Sequence, residues 1–299
     1  MSCPESFITC HEEQADSPPS APCRWALCWY VHTIAVVSAA WRWHRDAIAA
    51  CAVVFAAYCL FTRLRDWRKL LWFSSGLALL AAILCSPMDL LARDYLFTAE
   101  AIERIFLALT IPYLLVRGAT TRMAPFRIPY PVAWTIGMAT LSIWFLPRIL
   151  NHALASEAIR RVEIATVLAG GVVFWWPLHS PDKRQRIPLV PNTLFYLVAS
   201  TVWCSLMGLF LAFEQPWYFP RYSTPLDVLH IANSLLRDWS FSRENDQQTG
   251  GLLFWIGAGT ILLSEVMFTY YRWYLEQPQK GPEKISIAEQ KSRASRGGV

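Results

Sequence analysis

Charged and amide side chains gather at the ends of the long apolar segments of this chain, where they are the best candidates for chemistry. They lie in the turn before one apolar segment, in its first residues, and at the starts of two later segments. The set comprises Asp89, Asp94, Glu100, Glu103, Arg104, Glu163, Asp246 and Gln247. Charged groups at membrane depth are costly, so they usually face a protein interior or a wet cavity and indicate a functional site. These residue types suit the binding of a cation or of a protein partner.

The same residues also have a simpler interpretation as ordinary ion pairs. Glu100 and Arg104 are four residues apart, and Arg160 and Glu163 are three apart, so each pair shares a helical face. The helix dipole also favours acidic residues at helix N-termini. Both interpretations, a polar binding pocket and a set of pairs that neutralise each other, stay open on the sequence alone.

Composition indicates what kind of element positions these residues. Of the 299 residues, 55% are hydrophobic and 16% are charged, against roughly 45–50% and about 25% in an ordinary soluble domain. Several apolar runs reach the roughly 17–25 residues that a helix needs to cross a bilayer. The sequence therefore predicts an all-α integral membrane protein. Its net charge of +5 is accounted for by the basic loops and tail, and we expect no nucleic-acid partner.

We predict a bundle of seven transmembrane helices. The predicted spans are residues 46–62, 70–86, 99–116, 132–150, 162–179, 193–213 and 250–273. An earlier apolar run, residues 25–43, is predicted to be an extra N-terminal interfacial helix, with a spanning helix as the alternative. Loop 214–249 is long for a helix connection, so we expect it to be functional and to contain a short helix over 226–236.

These elements divide the chain into three parts. Residues 1–24 are polar and are predicted to be disordered, residues 25–276 form a single transmembrane domain, and residues 277–299 form a basic tail. The loops on one side of the predicted bundle carry more Lys and Arg than those on the other. The positive-inside rule therefore places that side and the C-terminus in the cytoplasm. The polar set then lies at the outer face.

The sequence does not predict an enzyme or a resident metal site. It shows no nucleophile–base arrangement and no phosphate-binding loop, and no His pair stands at ligand spacing within a predicted span. Four cysteines near the N-terminus match no metal-binding motif, namely Cys3, Cys10, Cys23 and Cys28. We therefore expect no catalytic residues, no metal ligands and no bound cofactor.

Five segments in a fixed order point to a known family. They are Ser86-Pro87-Met88-Asp89 followed by Tyr95-Leu96-Phe97-Thr98-Ala99; Pro112 with the Leu pair after it; Phe174-Trp175-Trp176-Pro177-Leu178; Gly208 through Trp217-Tyr218; and Asp246-Gln247-Gln248-Thr249-Gly250-Gly251-Leu252-Leu253-Phe254-Trp255. Each is weak alone, whereas their shared order and spacing are fairly specific. Over roughly residues 40–275 the chain resembles the CtaG-type, Bacillus-like cytochrome c oxidase assembly factors, a family of seven-helix membrane proteins.

This resemblance implies a role in maturing haem-copper oxidase, with copper handled at the outer membrane face. Where the family pattern has a His-x-x-x-His pair opening the third helix, this chain has Glu100 and Arg104. Where the family has His residues around a Glu at the start of the fifth span, only Glu163 remains, beside Arg160 and Ile164. Copper prefers His, Met or Cys ligands, and a guanidinium has no lone pair to offer. Copper is therefore implied by the resemblance only.

We accordingly expect a divergent assembly or accessory factor for a haem-copper cytochrome c oxidase, with copper handling weakened or lost. Its expected partners are oxidase subunits, or another membrane complex, and the lipid bilayer. The expected location is the bacterial inner (plasma) membrane, with the C-terminus in the cytoplasm. The alternative function is a structural scaffold subunit of a larger respiratory or photosynthetic complex.

Overall fold

The computed structural model describes residues 41, 44–62, 66–120, 128–182, 186–187, 191–213, 222 and 242–276. The chain divides into two units, Met1–Trp41 and Arg42–Val299, and every described helix belongs to the second. The two tails, the N-terminal helix over 25–43 and the short helix over 226–236 were predicted for segments that lie wholly or almost wholly outside the described residues. The described residues contain helices and turns and no strand, so the all-α prediction is confirmed.

Eleven helical elements follow one another along the described chain. They are α1 (Arg45–Thr62), α2 (Trp67–Cys85), α3 (Pro87–Asp94), α4 (Phe97–Ile105), a π-helical turn (Phe106–Thr110), α5 (Ile111–Gly118), α6 (Tyr130–Ile143), α7 (Pro147–Ala155), α8 (Glu157–His179), α9 (Asn192–Phe213) and α10 (Arg243–Glu276). The short helix α3 begins where the sequence provides a cap. The Ser86 hydroxyl accepts a hydrogen bond from the Met88 amide at 3.2 Å, and Pro87 occupies the first turn.

Five helices are long and apolar enough to cross a membrane, namely α1, α2, α8, α9 and α10. A sixth candidate is the bent pair α6–α7. Seven spans were predicted, and that number is not confirmed. The predicted third span corresponds to the continuous run α4–π turn–α5, which carries Glu100, Glu103 and Arg104 in its first half.

The predicted span over residues 132–150 corresponds to the two helices α6 and α7 and not to one continuous helix. The chain bends by 68° between α6 and α7, at a break just before Pro147. Proline cannot donate the backbone hydrogen bond that would continue the helix, and the break turns Phe145 into the protein core. Only 1% of Phe145 is exposed, with its ring 5.0 Å from the ring of Phe254 and 6.3 Å from that of Phe97.

The run α4–π turn–α5 packs against four other helices. α4 packs on α3 and α10, the π turn packs on α8, and α5 packs on α2 and α8. Its apolar residues are buried accordingly, including Ile105, Leu107, Leu109 and Ile111. Charged groups on the face of a helix that packs against its neighbours are not exposed to lipid. This position explains how Glu100, Glu103 and Arg104 are accommodated.

Helices α9 and α10 pack very closely because small residues line their contact. A Cβ atom at Gly208 would lie 2.7 Å from Trp255 Cβ, and one at Gly251 would lie 2.5 Å from the Ala212 amide nitrogen. Side chains larger than hydrogen are therefore excluded at both positions. Small residues allow helix backbones to approach in this way within membranes. The Gly-Gly pair after Thr249 thus has a packing role.

Candidate functional site: a buried ionic cluster

Six charged residues from α3, α4 and α8 form one buried cluster, which we call the ionic cluster. Its members are Asp89, Glu100, Glu103, Arg104, Arg160 and Glu163. Glu100, Glu103, Arg104 and Glu163 are each at most 2% exposed, and Arg160 is 4% exposed. The predicted site residues on α4 and α8 therefore do meet, through charge-assisted contacts that are stronger than neutral hydrogen bonds.

Arg160 is the centre of the cluster. Its Nη1 atom lies 2.9 Å from Glu100 Oε2 and 3.1 Å from Glu163 Oε2, and its Nη2 atom lies 2.9 Å from Glu103 Oε2. The same Nη2 atom is 3.8 Å from Asp89 Oδ1. One guanidinium thus serves four carboxylates on three helices. It locks α8 against α3 and α4.

Arg104 forms the second positive centre. It donates to Glu100, one helical turn earlier, and to Glu163 across the interface with α8. Its guanidinium carbon lies 4.3 Å from the centre of the Phe145 ring, so the break between α6 and α7 also supplies a cation–π contact. The Glu–Arg pair predicted from i,i+4 spacing is present and is extended to a second helix.

Charge is not balanced within the ionic cluster. If all groups are ionised, four carboxylates face two guanidiniums. Glu103 is the carboxylate with the fewest stabilising contacts. Its one ion pair in the described structure is with Arg160, and neither of its oxygens accepts a hydrogen bond there. The 2.9 Å separation from Arg160 Nη2 brings opposite charges together, although the N–H bond does not point at the oxygen. Buried carboxylates without donors are costly.

A cavity of about 310 Å³ adjoins the ionic cluster between α1, α2, α3 and α8. Asp89 and Arg160 form part of its wall, and apolar side chains such as Ala50, Cys51 and Leu80 form much of the rest. His44 also lines it, with Nε2 3.6 Å from Asp89 Oδ2. Burial raises the pKa of Asp89, and the charges of Arg160 and His44 oppose that effect.

Charged pairs lie around the same cavity. Arg93 donates to Glu157, and Arg161 Nη2 lies 3.3 Å from Asp46 Oδ2. The second pair is largely exposed, with 68% and 82% of the two side chains accessible. Exposed pairs exchange partners at small cost. The cavity therefore combines apolar walls with charges that a partner protein can contact.

Asp246 and Gln247, which were predicted to belong to the polar set, contact backbone groups at the ends of other helices. Asp246 Oδ2 and Oδ1 accept hydrogen bonds from the Phe97 and Thr98 amides at 2.7 and 3.0 Å, so Asp246 caps α4 from another helix. Gln247 Nε2 donates to the Leu211 carbonyl at 3.1 Å, near the end of α9. These two residues tie three helix ends together.

The remaining predicted residue, Asp94, is buried at the C-terminal end of α3, with 6% of its surface exposed.

Arg160 was the residue whose importance the sequence analysis missed. Its spacing of three residues from Glu163 was visible, but spacing does not show that one guanidinium contacts three helices. Phe145 was also missed, because nothing in the sequence showed that the helix breaks there.

A second polar group lies near the opposite ends of α5, α8 and α10, and we call this region the His179 end and the first the Asp89 end. His179 Nε2 is 3.2 Å from Glu265 Oε1, and the Tyr113 ring centre is 5.1 Å from the His179 ring centre. Trp175 also packs there, 5.7 Å from His179. Buried apolar residues such as Leu109 and Phe174 lie between the two ends along α4–α5 and α8.

The helical bundle and its buried charges define a multi-pass membrane protein whose polar residues are held inside the protein. Residues 39–276 match the family model described as cytochrome c oxidase caa3 assembly factor (Caa3_CtaG). Because the match covers most of the chain, this protein belongs to that family, and the predicted resemblance is confirmed. No curated protein and no solved structure matches the chain.

Proposed function

We propose that this chain assists assembly of a haem-copper cytochrome c oxidase by contact with an oxidase subunit at the Asp89 end, without carrying copper in the ionic cluster. The observation that carries this proposal is the arrangement of Arg104 and Arg160 among the buried glutamates. These guanidiniums form ion pairs with carboxylates that would otherwise be available to a metal ion. The proposal includes a non-catalytic role and no bound cofactor.

The donor chemistry of the ionic cluster does not suit copper as cargo. Copper sites use imidazole, thiolate or thioether ligands, whereas this cluster offers carboxylates held by two always-charged guanidiniums. Among the described residues, no three His, Cys, Asp or Glu side chains are arranged to hold a metal ion. Copper transfer is therefore not part of the role that we propose for these residues.

We place the contact surface for the oxidase subunit at the cavity beside the ionic cluster. Its apolar wall on α1 and its charged pairs give it the mixed character of protein interfaces. The cluster behind it fixes α3, α4 and α8 relative to one another, so the surface is preorganised. We further propose that the run α4–π turn–α5 is the seventh span, enclosed by the other six, in a bacterial plasma membrane with the C-terminus in the cytoplasm.

A cavity-filling substitution tests this surface. Ala50→Trp places a large ring in the cavity, whereas Ala52→Trp places the same ring at an exposed position on α1 that does not line the cavity. In a host lacking its own caa3 assembly factor, we expect Ala50→Trp to reduce spectroscopically assembled oxidase at least about tenfold, equivalent to 1.4 kcal/mol of lost association. Ala52→Trp should retain assembly. Equal assembly by both variants, at equal membrane abundance, would refute the proposed surface.

A permanent structural subunit is the second candidate function, and α1 favours it. Tyr58 is the only buried residue that the structure records among the 18 residues of this apolar helix, so most of α1 is available to lipid or to a partner helix. Purification in a mild detergent separates the candidates. Stoichiometric co-migration with a mature respiratory complex supports the scaffold, whereas association only with incompletely assembled oxidase supports the assembly factor.

A further inference from the structure

We propose that the His179 end binds the phosphate-bearing headgroup of one anionic phospholipid through Arg117, Arg186 and Arg272, which we call the arginine site. These residues come from α5, from the segment after α8 and from α10, so distant parts of the chain build the site together. Neither the family match nor the proposed oxidase contact assigns a ligand to this end of the protein.

Aromatic contacts hold two of the three guanidiniums near one another. The Arg117 guanidinium carbon lies 5.4, 5.5 and 6.0 Å from the ring centres of Trp72, Tyr113 and Phe268. The Arg272 guanidinium carbon lies 6.0 Å from the same Phe268 ring. Cation–π contacts use the face of a guanidinium, so they orient the group without occupying its N–H groups.

The third guanidinium is positioned by the end of α8. Arg186 Nε donates a 2.7 Å hydrogen bond to the Ser180 carbonyl, which directly follows His179. Arg186 is exposed, so its remaining N–H groups are accessible. Partial burial lowers the pKa of Arg186, and the positive charges of Arg272 and Arg117 lower it further. This shift agrees with three positive charges that share one region.

Two of the three arginines have no carboxylate partner among the described residues. Neither Arg117 nor Arg186 has a carboxylate partner in the part of the chain that the structure describes, and Glu265 contacts His179. Guanidinium groups bind phosphate oxygens through paired N–H groups, and basic pockets beside membrane helices bind anionic headgroups. A phosphate ester is therefore the ligand chemistry that best fits these three side chains.

The surface beside the arginine site favours a lipid over a soluble phosphate. Trp72 and Phe268 contact the Arg117 guanidinium and are also 39% and 43% exposed, and Leu71 and Met267 next to them are 56% and 65% exposed. Aromatic residues beside basic ones are typical of the membrane interface. A phospholipid would place its phosphate on the arginines and an acyl chain along these apolar side chains.

Native mass spectrometry of the full chain, extracted with mixed phosphatidylglycerol and phosphatidylcholine, tests this proposal. We expect one phosphatidylglycerol to remain bound, and its retention to fall at least about tenfold in Arg117→Gln and in Arg186→Gln, which is the factor that 1.4 kcal/mol represents. Arg148→Gln, an exposed arginine on α7, is the matched control and should retain the lipid. Because Arg186 is exposed, its variant remains informative if Arg117→Gln fails to fold.

Three results would overturn the proposal. Equal retention of phosphatidylcholine would show no selectivity for an anionic headgroup. Equal loss in Arg148→Gln would show that lipid retention depends on overall charge and not on a site. Displacement of the lipid by millimolar inorganic phosphate alone, with the same dependence on Arg117 and Arg186, would show that the site binds free phosphate.

Discussion

The Asp89 end and the His179 end accommodate charged side chains in different ways. At the Asp89 end, four carboxylates surround two arginines, and most of these groups are fully buried. At the His179 end, one carboxylate contacts a histidine, and arginines lie on aromatic rings near the surface. The first arrangement fixes helices rigidly because each charge needs its partner. The second leaves Arg186 exposed at the surface.

This contrast supports the proposal that the Asp89 end holds no copper, although it contains many acidic residues. Each glutamate there lies within ion-pair distance of an arginine. Removing one arginine would leave buried negative charges without compensation, whereas removing one of the excess carboxylates would relieve repulsion. The following predictions test that asymmetry, beginning with the largest effect.

Loss of Arg160 should have the largest effect on stability. Arg160→Gln removes the guanidinium that contacts four carboxylates, and breaking a buried pair in this way costs about 3–5 kcal/mol. The neighbouring Arg161→Gln is the matched control, since its pair with Asp46 is exposed and contributes less than about 1 kcal/mol. Unfolding of both variants in the same detergent measures the difference. Similar losses would contradict the central role of Arg160.

Substitution of two glutamates of α4 should change the free energy of unfolding in opposite directions. Glu100→Gln weakens contacts to both arginines and should cost about 2 kcal/mol, as hydrogen bonds to charged groups do. Glu103→Gln removes a charge from an over-acidic cluster and leaves Arg160 three other carboxylates, so we expect it to stabilise the fold by about 1 kcal/mol. Thermal unfolding of the two variants side by side tests this. A larger loss of stability in Glu103→Gln than in Glu100→Gln would show that the negative charge of Glu103 stabilises the fold.

The cap on α4 should contribute less than Arg160. Asp246→Ala leaves the Phe97 and Thr98 amides without their acceptors, and the loss of a cap costs about 1–2 kcal/mol. Glu244→Gln, two residues earlier and exposed, should change the free energy of unfolding by less than about 0.5 kcal/mol. Hydrogen exchange of the Phe97 and Thr98 amides provides a local measurement. Unchanged protection in Asp246→Ala would contradict the capping role.

At the His179 end, Glu265→Gln should cost only about 1 kcal/mol. The amide keeps an oxygen that can accept from His179, and the pair has no further charged partners comparable to those of Arg160. Unfolding of this variant beside Glu100→Gln compares the two ends directly. A loss as large as that of Arg160→Gln would show that the two ends do not differ in the way described.

The smallest expected effect is a pH dependence at Asp89. Burial raises the pKa of Asp89, with Arg160, His44 and Arg93 opposing and Glu100 reinforcing that shift. The folded state therefore favours the protonated carboxyl, so this stabilising contribution is complete below the ordinary pKa of an aspartate and is lost as the pH rises through the raised value. Asp89→Asn should reduce this decline in stability with rising pH. An unchanged profile would exclude Asp89 as its source.

Much of the fold followed from length and hydropathy. Segments such as 162–179 and 193–213 needed only apolar length to be recognised, and α8 and α9 lie there. The bend before Pro147 was missed because hydropathy continues across it. The seventh span was predicted to begin at residue 250, and the helix that contains it begins earlier, at Arg243. Polar residues in its first turns contact the ends of other helices.

The site was predictable in part for equally physical reasons. Helical spacing showed that Glu100 and Arg104 can pair, and positions in the predicted bundle placed Glu163 at the same depth. Spacing along one helix carries no information on which residue of the next helix it meets, so the central position of Arg160 was not visible. Asp246 contacts backbone amides, and no side-chain pattern in the sequence indicates such a partner.

Copper titration of the purified protein tests most directly whether the ionic cluster has replaced metal binding. With the protein in nanodiscs and copper supplied as Cu(I) or as Cu(II), we expect no tight stoichiometric binding that depends on Glu100, Glu103 or Glu163. A single tight site that is lost in Glu163→Gln and retained in Glu157→Gln, an exposed glutamate of the same helix, would contradict the account.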